Sequence, residues 1–407
     1  MFSKQVLVAV LAAAGAVSAA ANCTQTTFTI NSQADFDEIS SCTTLTGDVT
    51  IGTSTDVSID LSGPKAIKGD LTLLNNKLIS TLKSSSLQSV SGAFHLQNLT
   101  TLSTLSFTTL TSVGSINWVS LNAIDVLTFT AGVTKAASVV ISDTFLSSLD
   151  GLDVASASTI DINNNRRLIK YTSSLGNLTD LLNINANGLN LEVSFPNLIW
   201  IANMTVSNVS SFSVPSLATV NGSIRFDSNF FTSFSAPNLT STQTGDVSFI
   251  SNADLANISM PLLKSIAGGL QIANNTALQN VTGFAALKTV GGAVKLRGNF
   301  TEVELPSLAD VKGAFNVEST GDITSSCAVF KKLAPSSAGG NGDIQGTYTC
   351  QSDNANANSD TSTSTASSTK SSSTAKATGS SSAATGLGIN GVAVVGLAGV
   401  AALAQLL

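Results

Sequence analysis

The sequence predicts a mostly-β fold: a right-handed parallel β-helix, a leucine-rich-repeat-like solenoid of about thirteen coils with a disulfide cap at each end. Three observations predict it: a proline frame, a recurring apolar alternation, and cysteines at the two ends of the repeat. Five of the seven prolines share one frame, Pro196-Asn-Leu198, Pro215-Ser-Leu217, Pro237-Asn-Leu239, Pro261-Leu-Leu263 and Pro306-Ser-Leu308. Three residues after those leucines come Ile201, Val220, Thr242, Ile266 and Val311. Then, usually after a glycine, follows a short alternating run such as Gly222-Ser-Ile-Arg-Phe226 or Gly292-Ala-Val-Lys-Leu296. The unit recurs every ~19–24 residues, a period at which one repeat makes one coil.

The alternation continues towards the N-terminus without the prolines. Val49/Ile51, Leu71/Leu73, Phe94/Leu96, Ile116/Trp118, Val139/Ile141, Ile160/Ile162, Leu182/Ile184 and Met204/Val206 each predict a half-buried strand with these side chains inward. Stacked in parallel at ~4.8 Å, such strands make a rod roughly 60 Å long. A second register lies three residues beyond the inner strand residue, where Asn76, Asn165, Asn187, Asn229, Asn252, Asn275 and Asn299 recur. Stacked asparagines can bond the turn backbone of neighbouring coils, so their predicted role is structural rather than ligand-binding.

Both ends need caps. Cys23 and Cys42 flank a segment whose Ser32 and Phe36/Ile39 spacing predict a short helix. Cys327 and Cys350 bracket residues 328–333 at the other end. Four cysteines allow three connectivities. Local pairing, Cys23–Cys42 and Cys327–Cys350, is favoured because the two pairs lie at opposite ends of a rod too long to bridge. The absence of a CxxC and the single histidine, His95, argue against zinc.

The termini predict the processing. Residues 1–19 carry an early lysine, an apolar run over 6–17 and Val17-Ser-Ala19 before a small residue, a secretory signal. Residues 20–350 are the solenoid, and 351–383 a disordered Ser/Thr-rich stalk with no means of building a core. Residues 384–407 are weakly apolar and uncharged; with the small residues before them they read as a glycolipid-attachment signal, removed on anchoring. Gly379 is the expected attachment residue, with Ser380, Ser381 and Ser382 as alternatives. A plain transmembrane helix is disfavoured by the Ala/Gly-rich tail and the lack of a basic flank.

Eleven N-x-Ser/Thr sequons, at Asn22, Asn98, Asn177, Asn203, Asn208, Asn221, Asn238, Asn257, Asn274, Asn280 and Asn299, predict N-glycosylation of a secreted chain. By register Asn299 should point into the coil, and Asn274 and Asn238 outward. The net charge of −6, with 11% charged residues, leaves no basic patch for nucleic acid.

Taken together, Asn22-Cys-Thr, the run from Ile39 to Ile51 around Cys42, the Pro-x-Leu-x-x-Val-x-Gly coils, the C-terminal cysteine pair, the Ser-rich stalk and the apolar tail resemble the fungal Ecm33/Sps2 family of anchored cell-wall proteins, over essentially the whole chain. The resemblance implies a receptor-L-domain-like ectodomain. It further implies a glycolipid-anchored glycoprotein at the outer face of the plasma membrane or in the wall, with a structural role in wall integrity and assembly and no cofactor.

The residues allow two other classes. A polysaccharide hydrolase or lyase on a β-helix needs paired carboxylates ~5–9.5 Å apart. The predicted outward row runs Thr50, Thr72, His95, Asn117, Val140, Asp161, Asn183, Thr205, Arg225, Ser248, Gln271, Lys295 and Asn316 and holds one carboxylate. Asp125, Asp143, Asp150 and Asp153 lie in nearby turns and read as solvated turn residues. A glycan- or protein-binding module suits the polar row, but the row lacks the aromatics of a sugar platform. Trp118 points inward by alternation and Trp200 falls at a coil corner.

Overall fold

A computed structural model describes residues 21–52 and 56–358. The chain divides into Met1–Asp360 and Thr361–Leu407. The expected signal at 1–19, the anchor signal at 384–407 and the attachment residues 379–382 lie outside the described residues.

The described chain is a parallel β-solenoid of about thirteen turns. One 21-stranded sheet runs along it from Thr24–Ile30 to Tyr348–Gln351. The inner residues stack in unbroken register: Val49 beside Leu71, Phe94, Ile116, Val139, Ile160 and Leu182. Met204, Ile224, Val247, Leu270, Val294 and Phe315 continue the column. None of these is more than 2% exposed. Each buried side chain of this size is worth roughly 1.5–3 kcal/mol, so the column is the main stabilising feature.

The opposite side of the coil is discontinuous. It carries four short parallel ladders: a four-stranded one from Ser58–Asp60 to Leu127–Thr128, and Lys170–Thr172 with Glu192–Ser194 and Ser211–Ser213. Ser233–Ser235 pairs with Asn257–Ser259, and Asn280–Val281 with Glu302–Val303. The proline frame makes the turn from this side back to the main sheet. The amides of Leu217, Leu239 and Leu263 donate to the carbonyls of Val214, Ala236 and Met260 at 3.1–3.2 Å. Proline therefore occupies the second turn position, where its fixed φ is suitable and its missing N–H is not needed. The glycine ahead of each alternating run has a packing cause as well. A Cβ on Gly245 would lie 2.3 Å from the Gly222 carbonyl carbon one coil below.

At the far end of each main-sheet strand the chain turns through a left-handed residue. Asn75, Asn98, Ser120, Asp143, Asn164, Ala186, Asn208, Ser228, Ser251 and Asn274 all have φ of 52–60°. The residue after each turns inward, and there the expected asparagine ladder exists. Asn165, Asn187, Asn229, Asn252 and Asn275 are at most 6% exposed. The Asn252 Oδ1 accepts the Asn229 backbone N–H and Nδ2 at 2.9 Å each, and its Nδ2 donates to the Phe226 carbonyl at 3.2 Å. Asn275 does the same one coil later, with the Phe249 carbonyl. Asn76 caps its own turn by accepting from the Leu78 and Ile79 amides.

Asn299 is the exception to the predicted ladder. The strand Val294–Gly298 runs one residue longer than Leu270–Ala273 below it, so Gly298 and then Phe300 point inward and Asn299 is left half-buried outside. Phe300 takes the interior volume that an asparagine fills in the coils below.

Both disulfides form locally, Cys23–Cys42 and Cys327–Cys350, with Cα–Cα distances of 5.7 and 5.6 Å. At the N-terminal end the helix Gln33–Asp37 has a capping box between Ser32 and Asp35 and buries Phe36 over the first coil. Gln33 also blunts the edge of the first back strand. Its side-chain amide exchanges two bonds with the Asp60 backbone, 2.7 and 3.0 Å, as a peptide unit would. At the C-terminal end the helix Thr324–Phe330 lays Phe330 against Phe315, and Tyr348 stacks on Phe315 from above.

The solenoid does not stop at residue 350. Residues 351–358, assigned to the stalk by composition, form a strap over the end of the main sheet. The Asn354 N–H donates to the Ser319 carbonyl at 2.7 Å and its Nδ2 to Glu318 at 2.8 Å. Arg297 pairs with Glu318 at 3.4 Å and donates to the Asn356 carbonyl, and Asn358 Nδ2 donates to Asn299 Oδ1. Short side chains acquire order here because Arg297 and Glu318 offer them partners.

Candidate functional site

The outer face of the main sheet is the predicted row. Thr50, Thr72, His95, Asn117, Val140, Asp161 and Asn183 stand side by side, followed by Thr205, Arg225, Ser248, Gln271, Lys295 and Asn316. Thr29 and Thr349 extend it by one rung at each end. His95 bonds Gln97 at 3.2 Å. Asp161 accepts from Asn163 and Asn183, both at 2.8 Å, and Arg225 pairs with Asp227 at 2.6 Å. Of the row's charges Arg225 is paired and Asp161 is held by amides, while Lys295 makes no ion pair among the described residues; the rest of the row presents mainly amides and hydroxyls.

Among the described residues no three of the turn carboxylates Asp125, Asp143, Asp150 and Asp153 converge. Asp125 pairs with Arg167 at 3.4 Å, Asp143 accepts from the Ser120 hydroxyl, and Asp153 holds the Ser174 amide and hydroxyl. Among the described residues no group of three or more His, Cys, Asp or Glu side chains converges as a metal site. Trp118 is fully buried between Phe94 and Phe129, as the alternation requires. Trp200 is not at a corner: it begins the strand Trp200–Ser207 beside Asn177 and Thr219, half-buried on the outer side.

Two carboxylates serve the ends of the rod. For Asp60, burial works to raise the pKa, but bonds from the Ser62 hydroxyl and amide and the Lys83 ammonium at 3.3 Å outweigh it and hold the carboxyl below its ordinary value. Asp322 is held low by the Thr324 amide at the start of the C-terminal helix, helped by the Ser352 hydroxyl. In the core, burial pushes the Tyr171 phenol far up, with the Ser173 hydroxyl opposing.

The sequons divide by exposure. Asn22, Asn177, Asn203, Asn238, Asn257 and Asn280 are exposed, and Asn98, Asn208, Asn221, Asn274 and Asn299 are half-buried. Asn98, Asn208 and Asn274 share the left-handed corner column, which brings three sequons onto one edge of the rod. Nothing in the sequence pointed to this column, because its occupants are of four residue types. The back-side break between Ser211–Ser213 and Ser233–Ser235 was missed as well. It opens a groove of about 330 Å³ lined by hydroxyls, Pro215 and Pro237.

Fold and surface together define a class: a disulfide-capped parallel β-solenoid whose long outer face is polar and sparsely charged. Comparison with known proteins gives the family. The profile described as "Ecm33: GPI-anchored cell wall organization protein" matches residues 1–40. The chain is 40% identical over 349 residues to "Protein ecm33" of Aspergillus fumigatus, covering 85% of each chain. It is 40% identical over 346 residues to the "Cell surface GPI-anchored protein" of Arthroderma benhamiae, covering 85% of this chain and 86% of that one. It is 34% identical over 354 residues to the "Cell surface GPI-anchored protein ECM33" of Candida albicans, covering 86% and 83%. The chain belongs to the Ecm33 family. No solved structure matches it. Among the described residues no helix is long and apolar enough to cross a membrane.

Proposed function

We infer that the protein is a glycolipid-anchored surface glycoprotein that acts as a structural element in organising the fungal cell wall, without catalysing a reaction of its own. The observation that carries this reading is its relation to the A. fumigatus protein over 85% of both chains, a span filled by the disulfide-capped solenoid. A capped stack of coils is a stiff spacer. The engagement of Asp125 by an arginine, of Asp143 and Asp153 by hydroxyls and of Asp161 by an amide supports this reading.

The relatives' names place them at the cell surface and in the wall. We extend that location to this chain, with residues 1–19 as the signal, 384–407 as the anchor signal and Gly379 or one of Ser380–Ser382 as the attachment residue. The sequons supply the glycans of the mature form.

Deleting the gene in its own organism tests the reading. The deletion strain should become hypersensitive to wall-binding dyes, the full chain should restore growth, and a version ending at residue 358 should not. Normal dye tolerance of the deletion strain, or full rescue by the shortened chain, would count against an anchored wall role.

A further inference from the structure

The back of the solenoid is interrupted between its four ladders, and at the break between Ser211–Ser213 and Ser233–Ser235 the packing behind the strands shows a reason. By register Ser211, Phe212 and Ser213 should pair with Ser233, Phe234 and Ser235 of the next coil, as Ser233–Ser235 pairs with Asn257–Ser259. They do not pair. Phe212, Phe226, Phe231 and Phe234 fill the interior behind them, with Phe226 and Phe234 at 4.4 Å and Phe212 and Phe226 at 5.5 Å between ring centroids. The stacked rings of Phe212 and Phe234 sit 6.5 Å apart, more than the ~4.8 Å of a hydrogen-bonded pair of strands. The phenylalanines wedge the coils open and leave facing strand edges without ladder bonds across the gap.

The resulting groove, about 330 Å³, is lined by hydroxyls, Phe212, Phe231, Pro215 and Pro237. Elsewhere hydroxyls at the coil corners are spent on the coil below: Ser80 donates to Val57, Thr276 to Ala253 and Ser307 to Ala285. In the groove the corner hydroxyl of Ser210 makes the same bond, to the Leu191 carbonyl at 3.0 Å, but that of Thr232 does not, and the strand-face hydroxyls of Ser211, Ser213, Ser233 and Ser235 face outward. None of the lining residues is charged.

We propose that this groove binds a neutral polysaccharide chain. The ligand must bring closely spaced donors and acceptors for two rows of hydroxyls and unpaired peptide groups, and it finds no counter-charge for an ion. The rings behind the gap are 6.5 Å apart, short of the ~10 Å that a chain inserted between two strand edges needs, so a ligand lies along the mouth of the groove. A pyranose chain meets the requirement. Its hydroxyls reach the serines along both banks, and its C–H faces rest on the Pro215 and Pro237 rings at the end of the groove. This goes beyond the structural role proposed above and does not depend on it.

The test is affinity electrophoresis of the full-length protein through gels containing laminarin, mannan or glycol chitin, with albumin as reference. At least one of these neutral glycans should retard the protein. The double substitution Ser211→Asp/Ser233→Asp sets two like charges across the groove at exposed positions and should lower the affinity at least tenfold. Thr104→Asp, on an intact ladder, should not change it. Circular dichroism melts of the variants verify folding, and Ser213→Ala/Ser235→Ala gives a milder second reading. Equal retardation of wild type and both groove variants, retardation by none of the three glycans, or groove-dependent capture of an extended peptide instead would overturn the proposal. None of these results would alter the dye-sensitivity phenotype on which the wall role rests.

Discussion

At the scale of single residues, the left-handed corner and the residue after it divide the labour of each coil. The corner needs φ above +50°, which Asn, Asp and Ser tolerate better than larger residues. The next residue turns inward, and its identity sorts by block. Leu99 and Leu121 make an apolar stretch, whereas Asn229, Asn252 and Asn275 make an amide stretch in which each side chain satisfies the one before it. Mixing the blocks should be costly. Asn252→Leu would strand the Asn229 amide groups and the Phe226 carbonyl, at ~1–3 kcal/mol for each buried group left unpaired. The melting temperature should fall by several degrees, and no change would mean that the ladder bonds are replaced by water. Asn299 gives a prediction of a different kind. Its Oδ1 accepts from Asn358 and Thr320 and its Nδ2 donates to Thr276, so a glycan there competes with the strap. Molecules glycosylated at Asn299 should show faster hydrogen exchange over residues 352–358 than those without; equal exchange would mean that the strap does not depend on that side chain.

At the scale of elements, the caps decide the stability of the ends. The Cys327–Cys350 bond closes a loop of 23 residues and holds the last rung, Tyr348–Gln351, on Phe315–Ser319. Replacing both cysteines by serine should cost about 3 kcal/mol. Exchange protection should be lost first in residues 324–351 while the central coils stay protected; uniform loss would show that the solenoid melts as one unit. Asp322 links this cap to pH. Its carboxyl is depressed below 3.8, so its contribution is complete at neutral pH and is lost as the pH falls from 3.8 through the depressed value. Cap exchange should therefore accelerate only below about pH 4 in the wild type, and less so in Asp322→Asn. An onset near pH 6 would point to a different group.

At the scale of the whole molecule, the repeat was legible because a strand's inward residues must alternate and each coil must match its neighbour. The inner pairs and the outward row follow directly from that constraint, down to Thr205 beside Arg225. Asn299 was misread because spacing alone cannot tell whether a strand turns at Gly298 or runs on; the bulk of Phe300 decides it. The end rungs, the strap and the back-side groove were not legible. Each depends on partners far along the chain or on side-chain volume, neither of which leaves a periodic trace. The ectodomain should give a strand-dominated circular dichroism spectrum, and a helical fraction above about a quarter would rule the fold out. Phosphatidylinositol-specific phospholipase C, or hydrofluoric acid for a wall-linked form, should release the mature protein without residues 384–407; a peptide from that segment in the released protein would refute the anchor.

The strap also sets how the rod carries tension. A pull on the chain beyond Asn358 reaches the solenoid through the strap, whose bonds to Ser319, Glu318 and Asn299 open one after another, like a peeled tape. Peeling ends at Cys350, where the disulfide passes the load to Cys327 and bypasses the segment between them. The strap is then a mechanical fuse and the disulfide its stop. Under a pulling force the first extension should be short, a few tens of ångströms for the residues of the strap. Under reducing conditions the 23-residue loop should add roughly 80 Å before the next coil gives way.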